Sequence, residues 1–323
     1  MKRREFIRLV GGATIWPIVA RTQSAMPIIG FLNGQSSVDY GLFLTSFKDG
    51  LKEQGYIVGE NVSIEFRWAD EQYQRLPDLA DELVRLGVKV IVANAPAAFA
   101  AKNATTKIPI IFNAGFDPVK AGLVASLNNP GGNVTGVTML GPQLGPKRLE
   151  LMHSLKPEAT QFAFLLNPTG SNGPTQLEDV VGAAQGLGLK LRTLKAANDP
   201  DLDQALAECA AMNVGGLIIA GDAYYNTRSQ RLAELALKNC VAAIYQYREF
   251  VSSGGLLSYG TSLTDGFRLV GNYAARVLKG EKPAALPVQQ STKVELFINL
   301  KTAKTLGVTL PLSLLGRADE VIE

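Results

Sequence analysis

Histidine and cysteine are nearly missing from this chain: its 323 residues include one His and two Cys. A single imidazole cannot build a zinc site of the usual kind. His153 lies between Met152 and Ser154 on an amphipathic stretch, where a helix-surface or half-buried histidine is far commoner than a catalytic one. Two cysteines make no disulfide framework, and Cys209 and Cys240 read as two buried free thiols. No metal-spaced His/Cys/carboxylate cluster, no GxGxxG after a strand, no Walker A and no GxSxG is present. These gaps remove the usual sequence support for a metal, a cofactor or catalysis, so none of the three is expected. Asp222 and Glu249 could pair as acid and base, but nothing local points to it. Beyond the N-terminus no apolar run is long enough to cross a bilayer.

Charge of one sign is also scarce once the N-terminus is set aside. Lys2, Arg3, Arg4, Arg8 and Arg21 face only Glu5 in the first 26 residues; removing that net +4 from the chain's +3 leaves −1. A nearly neutral remainder has no electrostatic footprint for nucleic acid or an anionic membrane. The segment itself, residues 1–26, reads as a signal peptide: a basic start, a short apolar run from Leu9 to Ala20, and a cut near Ala25. Paired arginines followed by Phe6 resemble a twin-arginine export signal, so the protein is expected in the periplasm.

What is present is one α/β unit written twice. The first copy starts at Pro27 to Asn33, continues through helical, extended and helical stretches, and reaches Val88 to Asn94; the second starts at Phe162 to Pro168 and reaches Leu217 to Gly221. The offset is 133 residues at the first strand and 127 at the third, a small drift over three strands. Strands alternating with helices predict parallel sheets. The fold class expected is therefore α/β, two Rossmann-like lobes facing across a cleft. Lobe one is assigned residues 27–140 plus 254–285, lobe two residues 141–253 plus 286–323, with Gly141-Pro142-Gln143 as the first crossing and three hinge strands in all.

In parallel α/β sheets ligands bind beyond the carboxyl ends of the strands. Those positions give Ser36, Ser37, Asn94, Asn113, Phe116 and Asp117 from the first copy, and Asn167, Asn172, Asp222, Tyr224, Tyr225 and Tyr245 from the second. Ser36 and Ser37 precede a helix, where their hydroxyls could meet a carboxylate or merely cap. Asp117 and Asp222 could hold an ammonium, although Asp117 before Pro118 also suits a cap. Phe116, Tyr224, Tyr225 and Tyr245 could sandwich a flat ligand.

Several longer motifs occur in a fixed order: Ile29-Gly30-Phe31-Leu32, Phe116-Asp117-Pro118-Val119-Lys120-Ala121-Gly122-Leu123-Val124 and Asn129-Pro130-Gly131-Gly132-Asn133-Val134-Thr135-Gly136. Gly254-Gly255-Leu256-Leu257-Ser258-Tyr259-Gly260, Arg276 to Pro283 and Asn299 to Gly307 follow. In these the chain resembles the periplasmic substrate-binding components of ABC transporters related to the tryptophan-binding type, over nearly its whole length beyond the signal. The resemblance implies a type I periplasmic-binding-protein fold with a three-strand hinge and no catalysis. It also implies delivery of a small-molecule solute to an ABC transporter permease at the inner membrane, and the protein is expected to be a monomer. It places Asp117 and Asp222 at the ligand. Ala223-Tyr224-Tyr225 departs from the small polar residues of amino-acid-binding relatives, so an amino acid and an aromatic or other organic acid both stay open as the solute. The competing expectation is an exported α/β enzyme acting on a small metabolite.

Overall fold

The structure, a computed structural model, describes residues 26–38, 40–139, 144–170 and 173–323. The export segment up to residue 25, the crossing at Gly141 to Gln143, and Asn172 lie outside the described residues.

Short, continuous apolar runs form the central strands. β1 (Ile28–Asn33), β3 (Val90–Asn94) and β4 (Ile110–Ala114) are buried on both faces, as strands covered by helices on either side must be. With β2 (Ser63–Trp68), β5 (Val134–Met139) and β11 (Gln289–Ser291) they make a six-stranded parallel sheet in the order β2-β1-β3-β4-β5-β11. The second sheet has seven strands. β6 (Gln161–Leu166), β7 (Lys190–Lys195), β8 (Leu217–Ile219), β9 (Ala243–Tyr245), β10 (Leu257–Thr261), β12 (Val294–Asn299) and β13 (Glu320–Ile322) lie in the order β7-β6-β8-β9-β10-β12-β13. Only the β10–β12 pair is antiparallel. Edge strand β7 carries Lys190, Arg192 and Lys195 outward, charges that discourage a further strand from pairing there.

Helices follow their apolar spacing. α2 (Leu76–Leu86) has Pro77 in its first turn, buries Leu76, Leu79, Ala80 and Leu83 at helical spacing, and stops at Gly87 in a left-handed conformation. α1 (Gly41–Glu53) packs along α10 (Leu263–Leu278), which covers the first sheet although 222 residues separate their starts. Asn299 accepts from Thr302 N–H at 2.9 Å and so caps α11 (Leu300–Thr305), as its position before a helical run predicts.

The chain passes between the sheets after β5, between β10 and α10, and between β11 and β12. Two segments sit in the opposite lobe from the one expected. β10 pairs with β9 and β12 in the second sheet, although residues from 254 onward were assigned to lobe one. β11 pairs with β5 in the first sheet, although residues from 286 onward were assigned to lobe two. The glycine-rich stretch at Ser253 to Gly255 that suggested a crossing is only the turn out of α9 (Arg248–Ser252), with Gly254 at φ +99°. The crossing is at Ser262, whose hydroxyl caps α10 by accepting from Asp265 N–H. Of the two free thiols expected to be buried, Cys209 is and Cys240 is exposed. His153, on α4 (Gly145–Leu155), packs edge-on against Phe162 with ring centroids 5.9 Å apart, a structural contact. Among the described residues no helix is long and apolar enough to cross a membrane.

Candidate ligand cleft

The carboxyl ends of the parallel strands of both sheets open on one cavity of about 1180 Å³ between the lobes. Lobe one supplies an aromatic wall: Tyr40, Phe43, Tyr73, Phe99, Phe116 and Phe267 all line it. Phe99 and Phe116 stack at 6.0 Å with planes 21° apart, and Phe43 and Phe267 at 5.2 Å and 20°. Such pairs hold a flat surface that a second ring can meet. Tyr40 belongs to the same wall; its hydroxyl donates to Gln35 Oε1 at 2.6 Å, and burial pushes its pKa up to about 12, so it stays a donor.

Lobe two supplies the polar wall. Asp222, directly beyond β8, has one carboxylate oxygen fully used: Oδ1 accepts from Asn167 Nδ2 at 3.1 Å and from Tyr224 N–H at 2.9 Å. Its Oδ2 makes no hydrogen bond among the described residues and lies against Gly170, where a Cβ would sit 2.4 Å away, so a side chain at 170 would cover it; both residues line the cavity. Three arginines line the same wall, and each already has an acid: Arg228 with Asp199 at 2.8 Å, Arg231 with Asp203 at 2.7 Å, Arg248 with Glu320 at 2.7 Å. Of the acids lining the cavity, Glu71, Asp222, Glu234 and Glu249 make no ion pair among the described residues; Glu234 accepts only from Gln230 Nε2 at 2.9 Å. Burial raises the Glu249 carboxyl above its ordinary range, with Arg248 opposing.

The structure brings Ser36, Asn94, Asn113, Phe116 and Asp222 together around this cavity. Asn94 ends β3 and accepts from Gly34 N–H at 3.1 Å. Asn113, on β4, is buried with its Oδ1 unpartnered. Asn167 stands behind Asp222 and orients it, with its own Oδ1 fixed by Thr169 N–H at 3.0 Å and Thr169 Oγ1 at 2.8 Å.

The other expected contacts lie elsewhere. Ser37 is exposed and outside the lining, and neither serine caps α1, whose flanking residue is Tyr40. Asp117 is exposed and accepts from Val119 N–H at 2.9 Å and Lys120 N–H at 3.1 Å, so it holds its own turn rather than facing the cleft. The proposed tyrosine sandwich is replaced by core packing. A short helix, α7 (Ala223–Asn226), turns Tyr225 inward, 0% exposed, where its hydroxyl donates to Ala196 O at 2.9 Å. Tyr245 is likewise 0% exposed and stacks on Phe250 at 4.8 Å. Tyr224 donates to Asp199 and lies under Arg228, whose guanidinium carbon is 3.8 Å from the ring centroid. It therefore sets Arg228 in place without lining the cavity itself. Tyr40, Phe43, Tyr73, Phe267 and Arg228 were missed because they stand on helix faces and loops. Tyr40 and Phe43, three apart at a helix start, were the one readable signal.

Two α/β lobes with the cavity between them, one wall aromatic and one polar, define a type I periplasmic-binding-protein receptor. More narrowly, the chain belongs to the family of ABC transporter substrate-binding proteins, which it matches over residues 31–322. It is a binding protein and not an enzyme. It is 30% identical over 264 residues to a tyrosine-binding protein of Clostridioides difficile (strain R20291), covering 81% of this chain and 75% of that one. It is 28% identical, with a TM-score of 0.81, to an ABC domain from Streptococcus pneumonia solved in complex with L-Trp, covering 92% of this chain and 99% of that one. A ligand-free, open substrate-binding protein from Clostridium difficile, at 24% identity and TM-score 0.72 over 92% of this chain and 99% of that one, shares the fold.

Proposed function

We propose that the solute is an aromatic amino acid, held with its ring on the lobe-one wall and its ammonium on Asp222. The observation that carries this is the open Oδ2 of Asp222 in a cleft whose arginines are already paired and whose acids are not. Such a wall attracts an ammonium more than a bare carboxylate. Arg228 has donors left beyond those directed at Asp199, Thr227 and Tyr224, and these suit the amino acid's carboxylate. The unpartnered Oδ1 of Asn113, beside the aromatic wall, fits a ring N–H or O–H, as tryptophan and tyrosine carry. The relatives named above as binding tyrosine and L-Trp support the same class.

Isothermal titration with L-tyrosine and L-tryptophan, beside the same skeletons without the amino group, tests it. The amino acids bind and the deaminated acids do not. Asp222→Asn costs about ten- to a hundred-fold in affinity, the value of a charge-assisted hydrogen bond. Equal binding of both ligand sets would remove the ammonium from the reading.

The receptor works as a monomer in the periplasm, handing its solute to an inner-membrane permease, and it leaves the cytoplasm through the twin-arginine route. Arg3, Arg4 and Phe6 support that route. Arg3→Lys with Arg4→Lys abolishes periplasmic accumulation on this reading; undiminished accumulation in a fractionation assay assigns the general secretory route instead.

A further inference from the structure

The loop after β2 holds two successive non-glycine residues in the left-handed region, Asp70 at φ +50° and Glu71 at φ +64°. Side chains rarely adopt that conformation, and it persists where surrounding contacts impose it, often at ligand clamps. The imposing contacts are visible. Ala69 N–H donates to Asn33 O, Glu71 N–H to Gly34 O and Gln72 N–H to Ala69 O, each at 2.9 Å. Arg75 reaches Asp70 at 3.3 Å. The bend delivers Tyr73 to the mouth of the cleft, 44% exposed. Its ring lies so close to Gly34 that a Cβ there would be 2.8 Å from the ring's Cε1. Tyr73 thus stands on lobe one, opposite Asp222 and Arg228 of lobe two. Burial raises its phenol pKa first, the acids Glu71 and Asp222 raise it further, and Arg228 opposes them, so the hydroxyl remains a donor within the field of that pair.

We propose that Tyr73 is the clamp of lobe one and a specificity-determining residue: when the lobes close, its ring covers the open edge of the ligand and its hydroxyl joins Asp222 and Arg228 around the ligand's polar end. The identity of that polar end rests on the aromatic amino acid reading; the clamp needs only a ligand in the cleft. A half-exposed ring gains most when closure covers it. Because the contact forms after encounter, it governs release more than capture.

Stopped-flow binding of L-tryptophan, with melting curves on each variant, tests the clamp. Tyr73→Ala speeds dissociation by about tenfold or more and leaves association nearly unchanged. Tyr73→Phe, which keeps the ring, gives a smaller increase. Gly34→Ala displaces the same ring and also speeds release, yet adds nothing on top of Tyr73→Ala, because the ring it would move is gone. A Tyr73→Ala protein that melts as wild type and releases at the wild-type rate overturns the proposal, as does full additivity of the two substitutions. Native mass spectrometry of the purified protein separates this from the ligand assignment. A wild-type adduct whose mass is not that of an aromatic amino acid ends the assignment. Loss of that same adduct in Tyr73→Ala supports the clamp, and its full retention overturns it.

Discussion

Two cleft carboxylates, an aspartate and a glutamate, show how environment divides one chemical group into different tasks. Asp222 is oriented by Asn167 and left open by Gly170, so its charge is available to a ligand. Glu249, at the first turn of α9, is instead raised above its ordinary pKa chiefly by burial. A carboxyl with a folded-state pKa above its unfolded value binds protons more tightly when folded. Its ionisation therefore costs stability, starting as pH rises past about 4.5, the ordinary value, and complete above the raised one. Glu249→Gln removes that cost: the variant melts higher than wild type at neutral pH, and the difference shrinks to nothing as pH falls below the ordinary glutamate range. Parallel melting curves from pH 4 to pH 8 read this directly. A constant difference across that range would mean that packing, not ionisation, sets the effect.

At the scale of elements, strand ends were the legible part of the cavity lining. Asn94, Asn113, Phe116 and Asp222 stand directly after buried apolar runs, and the period of those runs fixes where each strand stops. What happens one residue later was not legible. Tyr224 and Tyr225 follow β8 just as a ligand contact would, but four helical residues rotate Tyr225 into the core and Tyr224 onto Asp199. The Asp70–Glu71 bend carries no glycine, so nothing in the sequence marked the turn that aims Tyr73. Phe267 reaches the cleft from α10, which packs on α1 and the first sheet through contacts between segments too distant for any local pattern to announce. Duplicated strand order was readable as periodicity; the lobe exchange of β10 and β11 was not, because a glycine-rich turn inside one lobe looks the same as a crossing between two.

For the whole molecule the division of labour between the walls implies an order of events. Lobe one lines the cavity with rings that need no charge, and lobe two with Asp222 and Arg228; on the proposed reading these meet a ligand seated on lobe one only when the lobes come together. The order of the described strands gives three passages between the sheets, two of them at Ser262 and between Ser291 and Val294, so a few backbone torsions suffice for closure. A ligand shifts such an equilibrium only by its differential affinity for the closed form, which on the proposed reading comes from bridging both walls. Small-angle scattering therefore shows a smaller radius of gyration with saturating L-tryptophan or L-tyrosine than without. In Asp222→Asn, brought to the same occupancy with excess ligand, the decrease is smaller, because one of the bridging contacts is lost. If the radius is unchanged in a wild-type sample that titration proves saturated, the ligand is held by one lobe alone and the clamshell account fails.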